Sequence, residues 1–252
     1  MPDFDNAIVL ITGAASGIGA ATATLLANSG AKKLILVDLD EEKLSDLAFT
    51  LPCERQPMTA DVADGQFWER ADLTGLTHAV VNAGIGAGGQ IEETSLEDWR
   101  RVMAVNLDGA FLTLQASMRA MKGNGGAIVL TASVAGIKAE PGIAAYGASK
   151  AAVIHLARIA AKEGGPNRIR VNAIAPGGVE TPIWSNVPFF QALVESQGSE
   201  EAAFKAMGAA SASAMGRFGR PEEIAGQIAF LLSDKAAFMT GACLVSDGGY
   251  SL

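Results

Sequence analysis

The chain has 252 residues, of which 49% are hydrophobic and 18% are charged, and its net charge at pH 7 is −8. This composition predicts a single globular domain over residues 1–252, because a disordered chain needs low hydrophobicity and high net charge. The acidic balance argues against nucleic acid as a partner, since contacts to phosphate supply most of the affinity in such complexes.

The sequence also lacks the signals of membrane insertion, secretion and metal binding. No segment approaches the roughly 18 consecutive apolar residues that a transmembrane helix needs, so no membrane partner is expected. Residues 1–5 show neither a basic nor an apolar signal region, and the two cysteines form no disulfide framework. Both observations predict a cytoplasmic protein. The cysteines and the two histidines make no ligand pattern, so no metal is expected.

Short apolar runs alternate with longer helical segments along the chain. The runs predicted as strands are 7–11, 34–37, 55–58, 79–82, 127–131, 170–174 and 242–245. Helices are predicted near 17–29, 41–50, 64–72, 96–121, 146–163 and 221–233. Most strands are apolar throughout, which is typical of parallel strands covered on both faces. The alternation predicts an α/β fold, with a doubly wound, mostly parallel, seven-stranded sheet and helices on both faces.

The segment 176–218 has no strand signal and is rich in Ala, Ser and Phe. Loops of this length in compact domains usually cover or bind something. We therefore expect one or two short helices in this segment and a substrate lid over residues 182–216.

A glycine-rich turn follows the first strand directly. Residues 12–19 read Thr-Gly-Ala-Ala-Ser-Gly-Ile-Gly and lead into a predicted helix. Glycine lets the backbone approach a ligand closely, and the start of a helix presents free N–H groups, so the turn predicts a pyrophosphate site. The spacing is GxxxGxG rather than GxGxxG, and the strand–turn–helix context supports the prediction. No GxxxxGK[ST] occurs, which argues against a nucleoside triphosphatase.

Asp38 ends the second strand, 19 residues after Gly19. A carboxylate in this position can accept hydrogen bonds from the ribose hydroxyls of an adenosine and would repel a 2′-phosphate. No Lys or Arg lies within residues 13–19 to neutralise such a phosphate. The sequence therefore predicts NAD rather than NADP.

Tyr146 and Lys150 are four residues apart on one predicted helix, which places them on the same face. An ammonium ~5 Å from the phenol, at an effective dielectric of ~20, should lower the phenol pKa by about two units. The phenol could then act as a general acid and base near neutral pH. Ser133, at the end of the fifth strand, could hydrogen-bond a substrate oxygen. A serine nucleophile is the alternative, but no GxSxG motif occurs and neither histidine lies in a triad context.

Taken together, these motifs resemble those of the soluble, single-domain, NAD(P)-dependent short-chain dehydrogenase/reductases, over essentially the whole chain. The matching segments are 12–19, 61–62, 82–84, Asn106, Ser133, Tyr146 with Lys150, 176–177 with 181, and 247–249. The resemblance implies a Rossmann-type fold and a catalytic set in which Tyr146 is the acid and base and Ser133 orients the substrate oxygen. Lys150 would also bind the nicotinamide ribose, and Asn106 would hold a water that links Lys150 to solvent.

The resemblance further implies a set of cofactor-binding residues. These are Gly13, Ser16, Gly17, Ile18, Gly19, Asp38, Leu39, Asp61, Val62, Asn82, Ala83, Gly84, Tyr146, Lys150, Pro176, Gly177, Val179 and Thr181. It also implies a homotetramer, formed through helices 96–121 and 146–163 and the last strand. The chain departs from the family pattern at Val81-Asn82, where two asparagines are usual, and in the short segment between Asp61 and the fourth strand.

The substrate side is less clearly defined by the sequence. Trp184, Phe189 and Phe190 could form an apolar wall over the substrate, or could pack the lid against the body. Glu140, between Ser133 and the catalytic tyrosine, could contact substrate or be a solvated acid.

We expect an NAD-dependent enzyme that interconverts a secondary alcohol and a ketone by hydride transfer. One alternative is a dehydrogenase of ring diols, and another is a non-catalytic, NAD-binding regulatory protein. The complete set of four catalytic-type residues argues against the second alternative, because a silent site has no physical need for all four.

Overall fold

The computed structural model describes residues 4–185 and 187–252. Its seven strands are β1 Ile8–Thr12, β2 Lys33–Asp38, β3 Glu54–Thr59, β4 His78–Val81, β5 Gly126–Thr131, β6 Ile169–Pro176 and β7 Cys243–Ser246. They form one sheet in the order β3-β2-β1-β4-β5-β6-β7. All six strand pairs of this sheet are parallel, so the predicted doubly wound α/β architecture is confirmed, and its sheet is more regular than the mostly parallel one expected.

The helices also follow the predicted order. They are α1 Gly17–Asn28, α2 Glu41–Thr50, α3 Gly65–Arg70, α4 Leu96–Met103, α5 Gly109–Met121, α6 Ala144–Gly164, α7 Pro188–Gln197, α8 Glu200–Ala210 and α9 Pro221–Leu232. The single helix predicted over 96–121 is two helices joined by a π-helical turn at Ala104–Asp108. Side-chain caps explain several starts, since Asp40, Asp64, Ser95 and Ser199 each accept a hydrogen bond from a backbone N–H of the first turn.

Alternate residues of each central strand enter two separate cores. In β1, Val9 and Ile11 pack into the core that α1, α2 and α9 cover. Leu10, between them, packs into the opposite core, which is covered by α3, α5 and α6. Burial on both faces explains why the strands are apolar throughout rather than alternating.

The strand order reverses beside β1, because β1 pairs with β2 on one side and with β4 on the other. In open α/β sheets, ligands bind in the crevice outside the carboxyl ends of the strands at such a reversal. The sequence predicts one or two short helices within 176–218, and the structure has two, α7 and α8. Position 186 of the predicted lid lies outside the described residues. None of the helices in the described part of the chain is long and apolar enough to cross a membrane.

Candidate active site

The glycine turn between β1 and α1 has the shape that a pyrophosphate site needs. Gly13 and Gly17 have φ values of +64° and +51°, a region that disfavours residues with a side chain. A Cβ on Gly19 would lie 1.9 Å from the Gly13 carbonyl oxygen, so the helix can start this close to the strand only with glycine there. The side chain of Ser16 makes no capping hydrogen bond, so it leaves the first-turn N–H groups of α1 available to a ligand.

Asp38 lies at the carboxyl end of β2, beside this turn. One carboxylate oxygen accepts a hydrogen bond from the Ala15 N–H at 2.9 Å, and the other accepts one from the Asp40 N–H at 3.1 Å. The neighbouring Leu39 is exposed. The carboxylate therefore holds the glycine turn in place while it remains partly open to solvent, as an adenosine-ribose site requires.

The end of β4 closes the other side of the turn. The Asn82 side-chain amide donates to the carbonyls of Thr12 and Gly13 at 3.1 and 3.3 Å. The backbone N–H groups of Asn82 and Ala83 both donate to the Thr12 hydroxyl. The single asparagine thus makes the cross-strand contacts by itself, which explains how Val81 can occupy the preceding position.

The pair expected to flank the adenine has two different environments. Asp61 is exposed, and its carboxylate accepts a hydrogen bond from the Ala63 N–H at 2.9 Å. Val62 is buried, and a Cβ on Gly109 would lie 2.6 Å from a Val62 methyl carbon. The Val62 side chain is thus largely a core group, which leaves Asp61 as the more accessible member of the pair.

Ser133, Tyr146 and Lys150 meet at the carboxyl end of β5. The Ser133 hydroxyl lies beside the Tyr146 phenol and accepts a hydrogen bond from the Ala135 N–H at 3.2 Å. The Lys150 ammonium lies 5.7 Å from the centroid of the Tyr146 ring and donates to the Thr131 carbonyl at 2.9 Å. Lys150 is 4% exposed. The three groups are therefore arranged to bind an oxygen and to move a proton.

The predicted lowering of the Tyr146 pKa by the ammonium is not found. Burial raises the pKa of Tyr146, and the nearby Ser133 hydroxyl only partly opposes this effect. Burial also lowers the pKa of Lys150 to about 8. The expectation counted only the attraction between the two charges and left out the loss of hydration, which is the largest effect on both groups in this site.

Asn106 lies in the π-helical turn between α4 and α5 and is buried. Its side-chain oxygen accepts from the Ile85 N–H at 2.8 Å, and its nitrogen donates to the Ile85 carbonyl at 3.0 Å and to Ser149 at 3.2 Å. A Cβ on Gly84 would lie 3.2 Å from the Lys150 ammonium and 3.3 Å from the Asn106 oxygen. Asn106 thus lies close to Lys150, and its amide fixes the loop that follows β4.

The segment after β6 reaches back over the glycine turn. A Cβ on Gly17 would lie 3.1 Å from the Thr181 methyl carbon. Gly177 packs against Asp247, since a Cβ on Gly177 would lie 2.8 Å from the Asp247 Cα. Val179 is buried. The residues from Pro176 to Thr181 therefore form one wall of the crevice, opposite the glycine turn.

The three aromatic residues of the predicted lid differ in their surroundings. The Trp184 indole donates to the Val179 carbonyl at 2.9 Å and packs against Phe218, with ring centroids 5.6 Å apart. Phe190 is 1% exposed and packs against Phe204, whereas Phe189 is 56% exposed. In this conformation only Phe189 has much surface available to a substrate, and Phe190 serves lid packing.

Glu140 is neither free nor fully solvated. It accepts a hydrogen bond from the phenol of Tyr250, and the Lys138 ammonium lies 3.8 Å from its carboxylate. Sequence reasoning missed Lys138 and Tyr250 altogether. The one available signal was that Tyr250 is the second of only two tyrosines, and it lies 110 positions from its partner.

The fold and the site define a dinucleotide-binding α/β oxidoreductase, and comparisons identify its family. The family profile described as "Enoyl-(Acyl carrier protein) reductase" matches residues 13–251. A 3-oxoacyl-[acyl-carrier-protein] reductase of Thermotoga maritima is 38% identical, over 97% of this chain and 98% of its own length. A cyclohexanol dehydrogenase of Acinetobacter sp. is 37% identical, over 98% of this chain and 96% of its own length. The crystal structure of levodione reductase superposes with a TM-score of 0.86 at 34% identity and covers 98% of both chains. The chain belongs to the short-chain dehydrogenase/reductase family.

Proposed function

We propose that the protein interconverts a secondary alcohol and a ketone with NAD as its cofactor. The observation that carries the proposal is the meeting of Ser133, Tyr146 and Lys150 at the carboxyl end of β5, across the crevice from the glycine turn. The relatives are consistent with this reaction. They include a cyclohexanol dehydrogenase and, at 34% identity, a meso-2,3-butanediol dehydrogenase of Serratia marcescens, both of which are named for secondary alcohols.

The roles of the three residues follow from their chemistry. The Ser133 hydroxyl and the Tyr146 phenol bind the substrate oxygen, on which negative charge develops during the reaction. Tyr146 takes the hydroxyl proton during alcohol oxidation and returns it during ketone reduction. The chemistry that a bound oxidised nicotinamide would supply is acceptance of a hydride from the substrate carbon, and its positive charge would favour the phenolate form of Tyr146.

Lys150 and Asn106 support this proton transfer. The ammonium, fixed by the Thr131 carbonyl, can donate hydrogen bonds to ribose hydroxyls. A lysine pKa of about 8 lets Lys150 release and regain a proton near neutral pH. Asn106 keeps the loop at Ile85 beside the ammonium, where a water can connect it to solvent.

Asp38 is the basis for proposing NAD rather than NADP. Its carboxylate lies at the ribose end of the crevice, where a 2′-phosphate would meet a negative charge. Leu39, which follows it, offers no cation to offset that repulsion.

The proposal also covers the cellular location and the oligomeric state of the protein. We expect the protein in the cytoplasm and as a homotetramer, joined through α4, α5 and α6 and through β7. Phe111 on α5 and Ile159 on α6 are exposed apolar residues on these helices, as an interface would need.

The direct test is a panel of secondary alcohols, ring diols, sugars and hydroxysteroids, read by NADH formation with NADP in parallel. Oxidation of at least one secondary alcohol with NAD, and its loss in Tyr146→Phe, is the expected result. Turnover of ring diols alone would favour the alternative that the protein is a dehydrogenase of ring diols. One relative, a 2,5-dichloro-2,5-cyclohexadiene-1,4-diol dehydrogenase of Sphingobium indicum, is 35% identical to this chain. Binding of NAD without turnover of any member would support the regulatory alternative.

A further inference from the structure

The turn that follows β7 contacts several parts of the substrate side of the site. This β7 turn, residues 247–251, is stabilised by the Asp247 carboxylate, which accepts hydrogen bonds from the N–H groups of Gly249 and Ser251 at 2.9 and 2.8 Å. Asp247 also packs against Gly177, in the wall of the cofactor crevice. The turn is therefore held by hydrogen bonds of its own and by a contact with the segment after β6.

The first segment it holds is the loop between Ser133 and Tyr146. The Lys138 ammonium donates to the Tyr250 carbonyl at 2.9 Å and lies 3.9 Å from the centroid of the Tyr250 ring. The Tyr250 phenol donates to the Glu140 carboxylate. We call these contacts of Tyr250 with Lys138 and Glu140 the clasp. Burial and the Glu140 carboxylate raise the pKa of Tyr250 to about 12, so the phenol keeps its proton at physiological pH.

The second segment it holds is the end of the predicted lid. The Gly248 carbonyl accepts hydrogen bonds from the Ser213 hydroxyl at 2.9 Å and from the Met215 N–H at 3.1 Å. A third segment joins through the clasped loop itself, because the Gly142 carbonyl accepts from the Gly89 N–H at 2.8 Å. The loop after β4, the loop after β5 and the end of the lid are thus connected through one turn.

These connections bear directly on the reacting groups. The clasped loop begins at Ser133, and a tight turn over Val134–Gly136 packs it on α6, where a Cβ on Gly136 would lie 2.7 Å from the Lys150 backbone. The Lys138 N–H donates to the Val134 carbonyl at 2.8 Å, so a displacement of Lys138 pulls on the turn that orients Ser133. A segment anchored at both ends presents one shape to the substrate, which reduces the ordering that binding must supply.

We infer that Tyr250 and Glu140 are positioning residues, which fix the loop between Ser133 and Tyr146 in its substrate-binding shape and so set substrate affinity without touching the reacting atoms. The inference rests on the proposed function for its kinetic consequence, but the clasp itself can be measured without turnover. It also reassigns Glu140, which acts on the substrate through the loop and not by direct contact.

The test compares Tyr250→Phe, Glu140→Ala and Glu140→Gln with the wild-type protein. Tyr250→Phe keeps the ring and loses only the hydroxyl donor, whereas Glu140→Gln keeps an oxygen that can accept from it. Amide hydrogen exchange over residues 134–143 should accelerate roughly fivefold in Tyr250→Phe and Glu140→Ala, the size expected for one net hydrogen bond, and stay near wild type in Glu140→Gln. Glu163→Ala, an exposed site near the end of α6, is the matched control and should change nothing.

The kinetic arm uses the alcohol of the panel that the wild-type protein oxidises fastest. Tyr250→Phe and Glu140→Ala should raise its KM roughly fivefold, with kcat and the KM for NAD within about twofold of wild type. The double variant Tyr250→Phe/Glu140→Ala should resemble either single variant, because both substitutions remove the same hydrogen bond.

Unchanged amide exchange over 134–143 would overturn the clasp. Faster exchange in β1 as well would show that the substitutions loosen the whole protein rather than this loop. An unchanged KM with a loosened loop would overturn its role in substrate binding. If the wild-type protein oxidises no alcohol, the proposed function fails, and the exchange measurement still decides whether the clasp exists.

Discussion

Asp38 and Ala15 are 23 positions apart, yet the Asp38 carboxylate accepts a hydrogen bond from the Ala15 N–H at 2.9 Å. The residue that we expect to select NAD therefore also holds the glycine turn. Cofactor selection and the shape of the pyrophosphate site are coupled through one side chain, so a substitution at Asp38 has two separable effects.

The first prediction separates these effects. Asp38→Ala should weaken the binding of both NAD and NADP, because it frees the turn at Ala15. Adding Leu39→Arg should restore binding of NADP only, since the new cation can pair with a 2′-phosphate. We expect the ratio of kcat/KM for NADP over NAD to rise by about tenfold or more relative to wild type, a change of about 1.4 kcal/mol. A wild-type protein that already prefers NADP would contradict the proposed role of Asp38.

The second prediction concerns the proton that Tyr146 moves. Tyr146→Phe removes the acid and base and should lower kcat by at least about 100-fold. Binding of NADH, followed by fluorescence titration, should stay within about twofold, because the ring and Lys150 remain. Tyr250→Phe is the matched control, since the chain has two tyrosines, and it should retain kcat. Normal turnover in Tyr146→Phe would remove Tyr146 from its proposed role.

The sequence predicted the fold well because its information is local. Apolar runs mark strands that are covered on both faces, and the glycine-rich turn marks the start of α1. The motifs also named residues that lie together in the structure, since Ser133 is beside the Tyr146 phenol and the Lys150 ammonium lies 5.7 Å from the centroid of the Tyr146 ring. Their catalytic roles stay predictions.

What the sequence could not predict depends on tertiary packing. The direction of the Tyr146 pKa shift follows from burial, which no spacing between residues reveals. The clasp joins Tyr250 to Glu140 across 110 positions, with no motif on either side. Phe189 and Phe190 are adjacent in sequence, and only the packing of α7 on α8 makes one exposed and the other buried.

The third prediction uses that adjacent pair. Phe190→Ala should destabilise the protein by about 3 kcal/mol, because it empties a buried site beside Phe204. Phe189→Ala should change the free energy of unfolding by less than about 0.5 kcal/mol. Because Phe189 is exposed on the predicted lid, Phe189→Ala should also shift the range of alcohols that the protein oxidises. Urea unfolding and the alcohol panel give the two readouts, and equal destabilisation by both variants would show that Phe189 is a packing residue too.

The fourth prediction follows from the buried lysine. The pKa of Lys150 falls from 10.5 to about 8 on folding, so between these pH values the unfolded chain binds more protons than the folded one. Stability from this group therefore rises as pH increases through that window, by about 3 kcal/mol in total. Lys150→Met lacks this contribution, so the stability of wild type relative to the variant should increase from pH 8 to pH 10. Urea unfolding of both proteins at the two pH values measures it, and parallel pH profiles would contradict the buried ammonium.

The fifth prediction concerns His78, at the start of β4. Its ring contacts the Thr77 hydroxyl at 2.8 Å and packs edge-on against Phe4, with ring centroids 5.6 Å apart. Burial, with a smaller contribution from the Arg170 charge, lowers the pKa of His78 from 6.5 to about 4. Between these pH values the unfolded chain carries the additional proton, so stability falls as pH decreases from 6.5 towards 4.

The expected loss between pH 7 and pH 5 is about 2 kcal/mol from this group. His78→Gln should remove that part of the pH dependence, while His155→Gln, at an exposed position on α6, should keep it. Urea unfolding at both pH values, with substrate and cofactor left out, measures the difference. If the wild-type protein and His78→Gln lose stability equally between pH 7 and pH 5, the neutral, partly buried imidazole is not the group that responds to acid.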